Sequence, residues 1–183
     1  RNEYAELYSA LFKNVDAYIS VVRLLNDCKT GMTKSEIAKK SAMNGQRLNT
    51  VLSNLEECDF VAKRTVFGKK STVLYRLVDF YTLFYFKFIE GNSLLDDNWF
   101  CHNLDSRSVT SWMGLAFELI CMQHHKQIKK ALGIAGVATS VYTWKCEPSA
   151  EHRGAQIDML IERADRMIHL CEMKYSQSTY NID

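Results

Sequence analysis

The 183-residue sequence predicts an α+β chain in two parts, and three observations carry that prediction. Apolar residues recur at helical spacing through the first 58 positions, most clearly at Leu48, Val51, Leu52 and Leu55. Two later stretches, 59–77 and 155–175, run at strand length around short polar or glycine-containing turns, as hairpins do. Between them, residues 91–107 lose all periodicity and gain Asn and Asp, the composition of a linker. The hydrophobic fraction of 47% suffices for packed cores.

The first part covers residues 1–90. Residues 4–12 and 17–25 predict two short helices, the second with Ile19, Val22 and Leu25 near helical spacing. Thr33 and Glu36 form a capping box, a helix start. Asn44-Gly45 breaks the chain, and residues 46–58 form the strongest helix of the sequence. Strands then flank a turn at Gly68-Lys69-Lys70. This order of helices followed by a basic hairpin is that of a winged helix-turn-helix, whose third helix enters a DNA major groove. Gln46, Arg47, Asn49 and Thr50 are the polar positions that would face base edges, and Lys63, Arg64, Lys69 and Lys70 the phosphate contacts. Charge agrees: residues 29–87 hold eleven Lys and Arg against five Asp and Glu, although the whole chain carries only +2. A protein-docking module with a solvated basic edge is the competing reading. Residues 79–90 predict one aromatic helix, with Phe80, Leu83, Phe84 and Phe88 buried and Tyr81, Tyr85 and Lys87 nearer the surface.

A linker, 91–110, leads to the second part, 111–183. Ser111 is the expected cap of a long helix over 112–132, closed by Gly133. Its apolar content suits a buried helix, and Glu118 lies in the middle, either on a narrow polar stripe or bound by something. Cys121 and His125 are one turn apart, but no matching ligand pair appears elsewhere, so Cys121 reads as a core thiol beside surface histidines. His169 and Cys171 likewise read as packing residues. Residues 137–146 predict a strand, and 148–153 link it to a hairpin of strands 155–162 and 167–175 around a turn at 163–166.

That hairpin holds the chemistry. Side chains alternate across a strand, so Glu172 and Lys174 share a face, as do Gln156 and Asp158. Charged groups in an apolar run need a partner or a metal, because desolvation costs several kcal/mol per ion. Mg2+ or Mn2+ held by Asp158 and Glu172 would meet that need, with Lys174 stabilising charge on a phosphate oxygen.

Asp158, a turn, then Glu172-x-Lys174 on the next strand resembles the core of the PD-(D/E)XK nuclease superfamily, the restriction-endonuclease-like fold. The resemblance implies an α/β core in which Glu118, Asp158 and Glu172 are metal ligands. Lys174, Glu172 and Asp158 would be catalytic, and Gln156 would orient substrate or water. The whole chain resembles the C-terminal half of archaeal-type AAA/STAND-like ATPases of archaea and Bacteroides-like bacteria. The match rests on LFYFKFI (83–89), SWMGLAFELIC (111–121), QIKKALGIAGV (127–137), GAQIDMLIERADRMIHLCEMKYS (154–176) and Tyr180-Asn181-Ile182-Asp183. In that family a P-loop ATPase precedes a winged helix and a nuclease-like domain. Ile157 replaces the motif's proline. The superfamily fold continues into a further helix and strand, so the core is expected to be truncated at Asp183, and a chain opening at Arg1 is expected to be a piece of a longer one.

These features predict a Mg2+-dependent deoxyribonuclease portion of an ATPase, with DNA and the parent ATPase domain as partners and homodimers as the superfamily's common assembly. The alternative is a non-catalytic DNA- or protein-binding regulatory module. No P-loop motif GxxxxGK[ST] occurs in the sequence. The absence of a transmembrane-length apolar run, and six cysteines with no CxxC pair, lead to the expectation of a cytoplasmic protein without a membrane partner.

Overall fold

The computed structural model describes residues 2–91, 96–146, 148–150 and 153–176, excepting the side chains of Asn2 and Lys70. It is a mixed α+β protein of two compact units, 1–95 and 96–183.

Unit 1 begins with helix α1 (Asn2–Leu11) and helix α2 (Val15–Asp27). Helix α2 buries Ala17, Tyr18, Val21, Val22 and Leu25 along one stripe, so its amphipathic pattern becomes a packing face. Strand β1 (Met32–Thr33) runs into helix α3 (Lys34–Ser41). Thr33 Oγ1 accepts from the Glu36 amide at 3.3 Å and Glu36 Oε2 accepts from the Thr33 amide at 2.7 Å, completing the predicted capping box. Helix α4 (Gly45–Glu57) starts at Asn44, whose Oδ1 accepts from the Arg47 amide at 2.8 Å. Its Leu48, Val51, Leu52 and Leu55 are all buried, as their spacing predicts.

Strands β2 (Val61–Val66) and β3 (Lys69–Leu77) pair antiparallel, and β1 adds to the other edge of β3 through Met32 and Tyr75. Val66 pairs with Lys69, so the turn is Phe67-Gly68 rather than the expected Gly68-Lys69-Lys70. Gly68, at φ +75°, supplies the left-handed residue that a two-residue hairpin needs, which leaves both lysines to open β3. Gly31 is required for a second reason: at φ +89° its missing Cβ would lie 2.9 Å from the Tyr75 carbonyl oxygen.

The expected single helix over 79–90 is two pieces. Asp79 caps helix α5 (Phe80–Phe84), and Tyr85–Ile89 continues as a π-helical turn, with the Glu90 amide donating to the Tyr85 carbonyl. Tyr85 stacks on Tyr4 at 3.9 Å between ring centroids. Leu83 and Phe88 are buried as expected, but Phe80 and Phe84 are half-buried, and Thr82 is buried instead, bonded to the Tyr8 hydroxyl at 3.1 Å.

Unit 2 contains a helix, α6 (Trp99–His102), inside the stretch expected to be linker. Asp96 holds it, accepting from the Asn98 amide at 2.9 Å and pairing with His102 Nδ1 at 2.8 Å. Helix α7 spans Arg107–Gln123 and is capped by Ser106, not Ser111. The predicted long helix breaks at His124 (φ −95°, ψ 22°), where the His125 ring takes the Met122 carbonyl at 3.0 Å. Helix α8 (His125–Ala131) follows. Gly133, at φ +70°, ends it as predicted, with the Ile134 amide returning to the Lys129 carbonyl at 3.0 Å.

Strands β4 (Thr139–Cys146), β5 (Ala155–Arg163) and β6 (Ile168–Cys171) form an antiparallel meander. Met122, Ile134, Met159, Ile161 and Met173 make its core, with Phe117, Cys121, Ile128, Val141 and Cys171 packed against them. The last strand stops four residues earlier than its apolar pattern suggests, so Glu172 and Lys174 lie beyond β6. Among the described residues no helix is long and apolar enough to cross a membrane.

Candidate functional site

The end of the β5–β6 hairpin is organised by Asp158. It is half-buried on β5 just before Met159, Leu160 and Ile161, which are all buried. The ladder to β6 ends at the pair Met159 and Cys171. One step further, the backbone amide of Met173 donates to Asp158 Oδ2 at 2.9 Å. Gln156 Nε2 lies 3.5 Å from Asp158 Oδ1, at the limit of a hydrogen bond. The Met173 side chain is sunk in the core of the unit. Glu172 and Lys174 flank it, both exposed, and form a salt bridge with each other. Asp158, Gln156, Glu172 and Lys174 therefore share one small region, with Met173 between the last two.

Glu118 is half-buried on α7. Cys121, one helical turn on, packs against the core. Burial raises the Cys121 thiol above its ordinary range, and the negative charges of Asp158 and Glu118 raise it further. A helix carboxylate and a strand carboxylate thus act on one sulfur. Glu172 is turned to Lys174 instead. Among the described residues, no three His, Cys, Asp or Glu are gathered closely enough to hold a metal ion. The donor chemistry of Glu118, Asp158 and Glu172 suits a hard cation such as Mg2+. The three are not gathered into such a group, and Asp158 is engaged by Met173 and Glu172 by Lys174.

No family model, curated protein or solved structure matches this chain.

The neighbouring histidines and cysteines have packing or bonding roles. His125 is occupied by the Met122 carbonyl, and His169 Nε2 lies 3.1 Å from Arg163 Nη1. Cys171 packs on the core, and burial raises its thiol.

In unit 1, Gln46, Arg47, Asn49 and Thr50 are all exposed on α4, across the helix from its buried leucines. The hairpin cations differ in availability. Lys63 Nζ pairs with Glu56 at 2.6 Å and sits 5.8 Å from the Tyr75 ring centroid. The Glu56 hydrogen bond raises its pKa. Arg64 is half-buried and donates to the Lys63 carbonyl at 3.2 Å. Burial, and then the charge of Arg76, lower its pKa. Lys69 is exposed, and the side chain of Lys70 lies outside the described residues, as do the last residues of the quoted resemblance, 180–183.

Two participants were missed in the sequence. Arg76 pairs with Ala62 while Arg64 pairs with Leu74, so the arginines are diagonal neighbours on one face. The turn alone would not have found it, because the register shifts between Val66–Lys69 and Thr65–Val73. Met173 carried no signal beyond being apolar between two charges.

Proposed function

We propose that this chain binds duplex DNA through unit 1 and carries in unit 2 a PD-(D/E)XK nuclease-like site for metal-dependent phosphodiester hydrolysis. The observation that carries the reading is the 2.9 Å hydrogen bond by which Asp158 holds the Glu172-x-Lys174 segment through Met173, with Glu118 on α7 as the helix carboxylate. The order α7, α8, β4, β5, β6 supports a restriction-endonuclease-like core. The order α2, β1, α3, α4, β2, β3, with β1 on β3, supports a winged helix-turn-helix in unit 1.

In this reading Glu118, Asp158 and Glu172 hold Mg2+ or Mn2+, which when bound supplies Lewis-acid activation of water and offsets charge on the leaving oxygen. Lys174, paired with Glu172 here, would supply a point charge that stabilises negative charge developing on a phosphate oxygen. Gln156 orients Asp158 or the substrate. The exposed polar face of α4 reads bases, and Lys69 contacts phosphate. Lys63 does so only by leaving Glu56. The P-loop ATPase domain of a parent chain would be the partner that controls access.

A second reading, a non-catalytic DNA- or protein-binding module, is favoured by a specific observation: the Glu172–Lys174 pair and the Asp158–Met173 bond satisfy the charges without a metal.

Calorimetric titration with Mn2+ separates the two, with Asp158→Ala in parallel and plasmid cleavage as the functional readout. The nuclease reading expects binding and cleavage by the natural chain, with both lost in Asp158→Ala and cleavage alone lost in Lys174→Ala. Absence of binding by the natural chain, or cleavage that survives both substitutions, leaves the module reading standing.

A further inference from the structure

The β6 strand ends at Cys171, yet Glu172, Met173 and Lys174 stay beside β5. Two contacts of Met173 account for this. Its side chain is 8% exposed within a cluster that includes Met122, Met159, Ile134 and Ile161. Its amide donates to Asp158 Oδ2 at 2.9 Å, where a further ladder bond would have used a backbone carbonyl. A methionine in a methionine-rich pocket fixes depth but not direction, because its unbranched side chain adapts to many shapes. A charge-assisted hydrogen bond to a carboxylate does fix direction, and Asp158 stands where the β4–β5 register shifts, between the pairs Tyr142–Leu160 and Trp144–Ile157.

We infer that Asp158 is a positioning residue that works without metal: its carboxylate replaces the missing ladder bond at Met173 and so sets where Glu172 and Lys174 stand relative to β5. The functional weight of this role rests on the nuclease-like reading, since only there does the position of the Glu-x-Lys pair bear on a reaction. Oδ2 is the clasp. Oδ1, with Gln156 at 3.5 Å, is the oxygen left for anything that binds from outside. The same side chain thus has two separable duties, one for each oxygen.

The separation makes charge and acceptor geometry distinguishable. Asparagine at this position keeps a side-chain oxygen that accepts from the Met173 amide but loses the charge. Alanine loses both. Amide hydrogen exchange of metal-free protein in chelator, followed residue by residue by NMR, reads the clasp directly. In Asp158→Ala the Met173 amide is expected to exchange roughly tenfold faster, a hydrogen bond's worth of protection. In Asp158→Asn it is expected to stay near the natural rate. The amides of β4 and β5 should hold theirs in both variants, which excludes general loosening.

An unchanged Met173 amide in Asp158→Ala overturns the inference, as does equal acceleration in Asp158→Asn with β4 and β5 intact. If Asp158→Ala fails to fold, Asp158→Glu serves. It keeps the charge but displaces the acceptor by a methylene, so its Met173 amide must accelerate, and an unchanged rate overturns the inference equally. A Mn2+ titration without binding beside a positive exchange result removes the nuclease reading and leaves the clasp. Normal binding beside an unaltered Met173 amide does the reverse.

Discussion

The two units fill their interiors with different chemistry. In unit 1 ring stacks join an aliphatic core: Tyr4 stacks on Tyr85 and Phe12 on Tyr18, both at 3.9 Å, and Tyr8 lies 5.1 Å from the Phe60 ring. In unit 2 the core is built on Met122, Met159 and Met173 with two isoleucines. Ring pairs are directional and rigid, whereas thioethers fill irregular space. Branched side chains can place a surface by packing alone, as α4 shows by presenting four polar residues opposite buried Leu48, Val51, Leu52 and Leu55. A unit packed on methionines needs hydrogen bonds to aim its polar groups, and Asp158 to Met173 is such a bond.

The contrast is sharpest for one replacement made in both cores. Tyr8→Leu removes ring contacts and the hydroxyl bonded to Thr82, and is expected to cost unit 1 about 3 kcal/mol or more. Met159→Leu, at a fully buried site, is expected to cost unit 2 less than about 1.5 kcal/mol. Trp99, Trp112 and Trp144 all lie in unit 2, so tryptophan fluorescence follows that unit during urea unfolding, while NMR amides of α2 and α4 follow unit 1. Comparable losses in both would break the comparison.

A smaller effect tests the polar part of the aromatic core. Burial pushes the Tyr8 phenol up to about 12 from its usual 10.0. The unfolded chain loses this proton first, so the stability it contributes is fully present below pH about 10 and is lost as pH rises towards 12. Tyr8→Phe should flatten that alkaline decline of unit 1. Part of the decline should persist, because burial also raises Tyr4. It should also cost about 1 kcal/mol at neutral pH through the unpaired Thr82 hydroxyl.

The smallest expected effect lies at the surface. Hydrogen bonds from the Thr33 hydroxyl and then its amide hold the Glu36 carboxyl below its ordinary range. Its contribution is therefore present above the unfolded value near ~4.3 and disappears as pH falls through the lower folded value. Glu36→Gln should reduce the acid slope of unit 1 stability and leave unit 2 unchanged. An acid slope identical to that of the natural chain would remove the capping box from the account.

Local signals determined much of this protein. The Thr33–Glu36 box, the Asn44 break, the buried stripe of α4, the Gly133 stop and the presence of both hairpins follow from caps, turn residues and periodicity, because each is decided by neighbours a few positions apart; the first hairpin's turn and register do not. The sequence also marks Asp158, Glu172 and Lys174 as charges inside an apolar run. Tertiary structure decided where continuous patterns stop. The long apolar helix breaks at His124 because a ring takes a backbone carbonyl, and the aromatic helix widens after Phe84. Strand β6 ends at Cys171 although Met173 continues its apolar rhythm, because the amide there finds a side-chain oxygen instead of a ladder partner. Whether a charge is available was equally out of reach of the sequence: Lys63 meets Glu56 once β2 packs beside α4, and half-buried Arg64 feels the charge of Arg76 once strand register is set. Such encounters join residues on different elements, and periodicity carries no information about them.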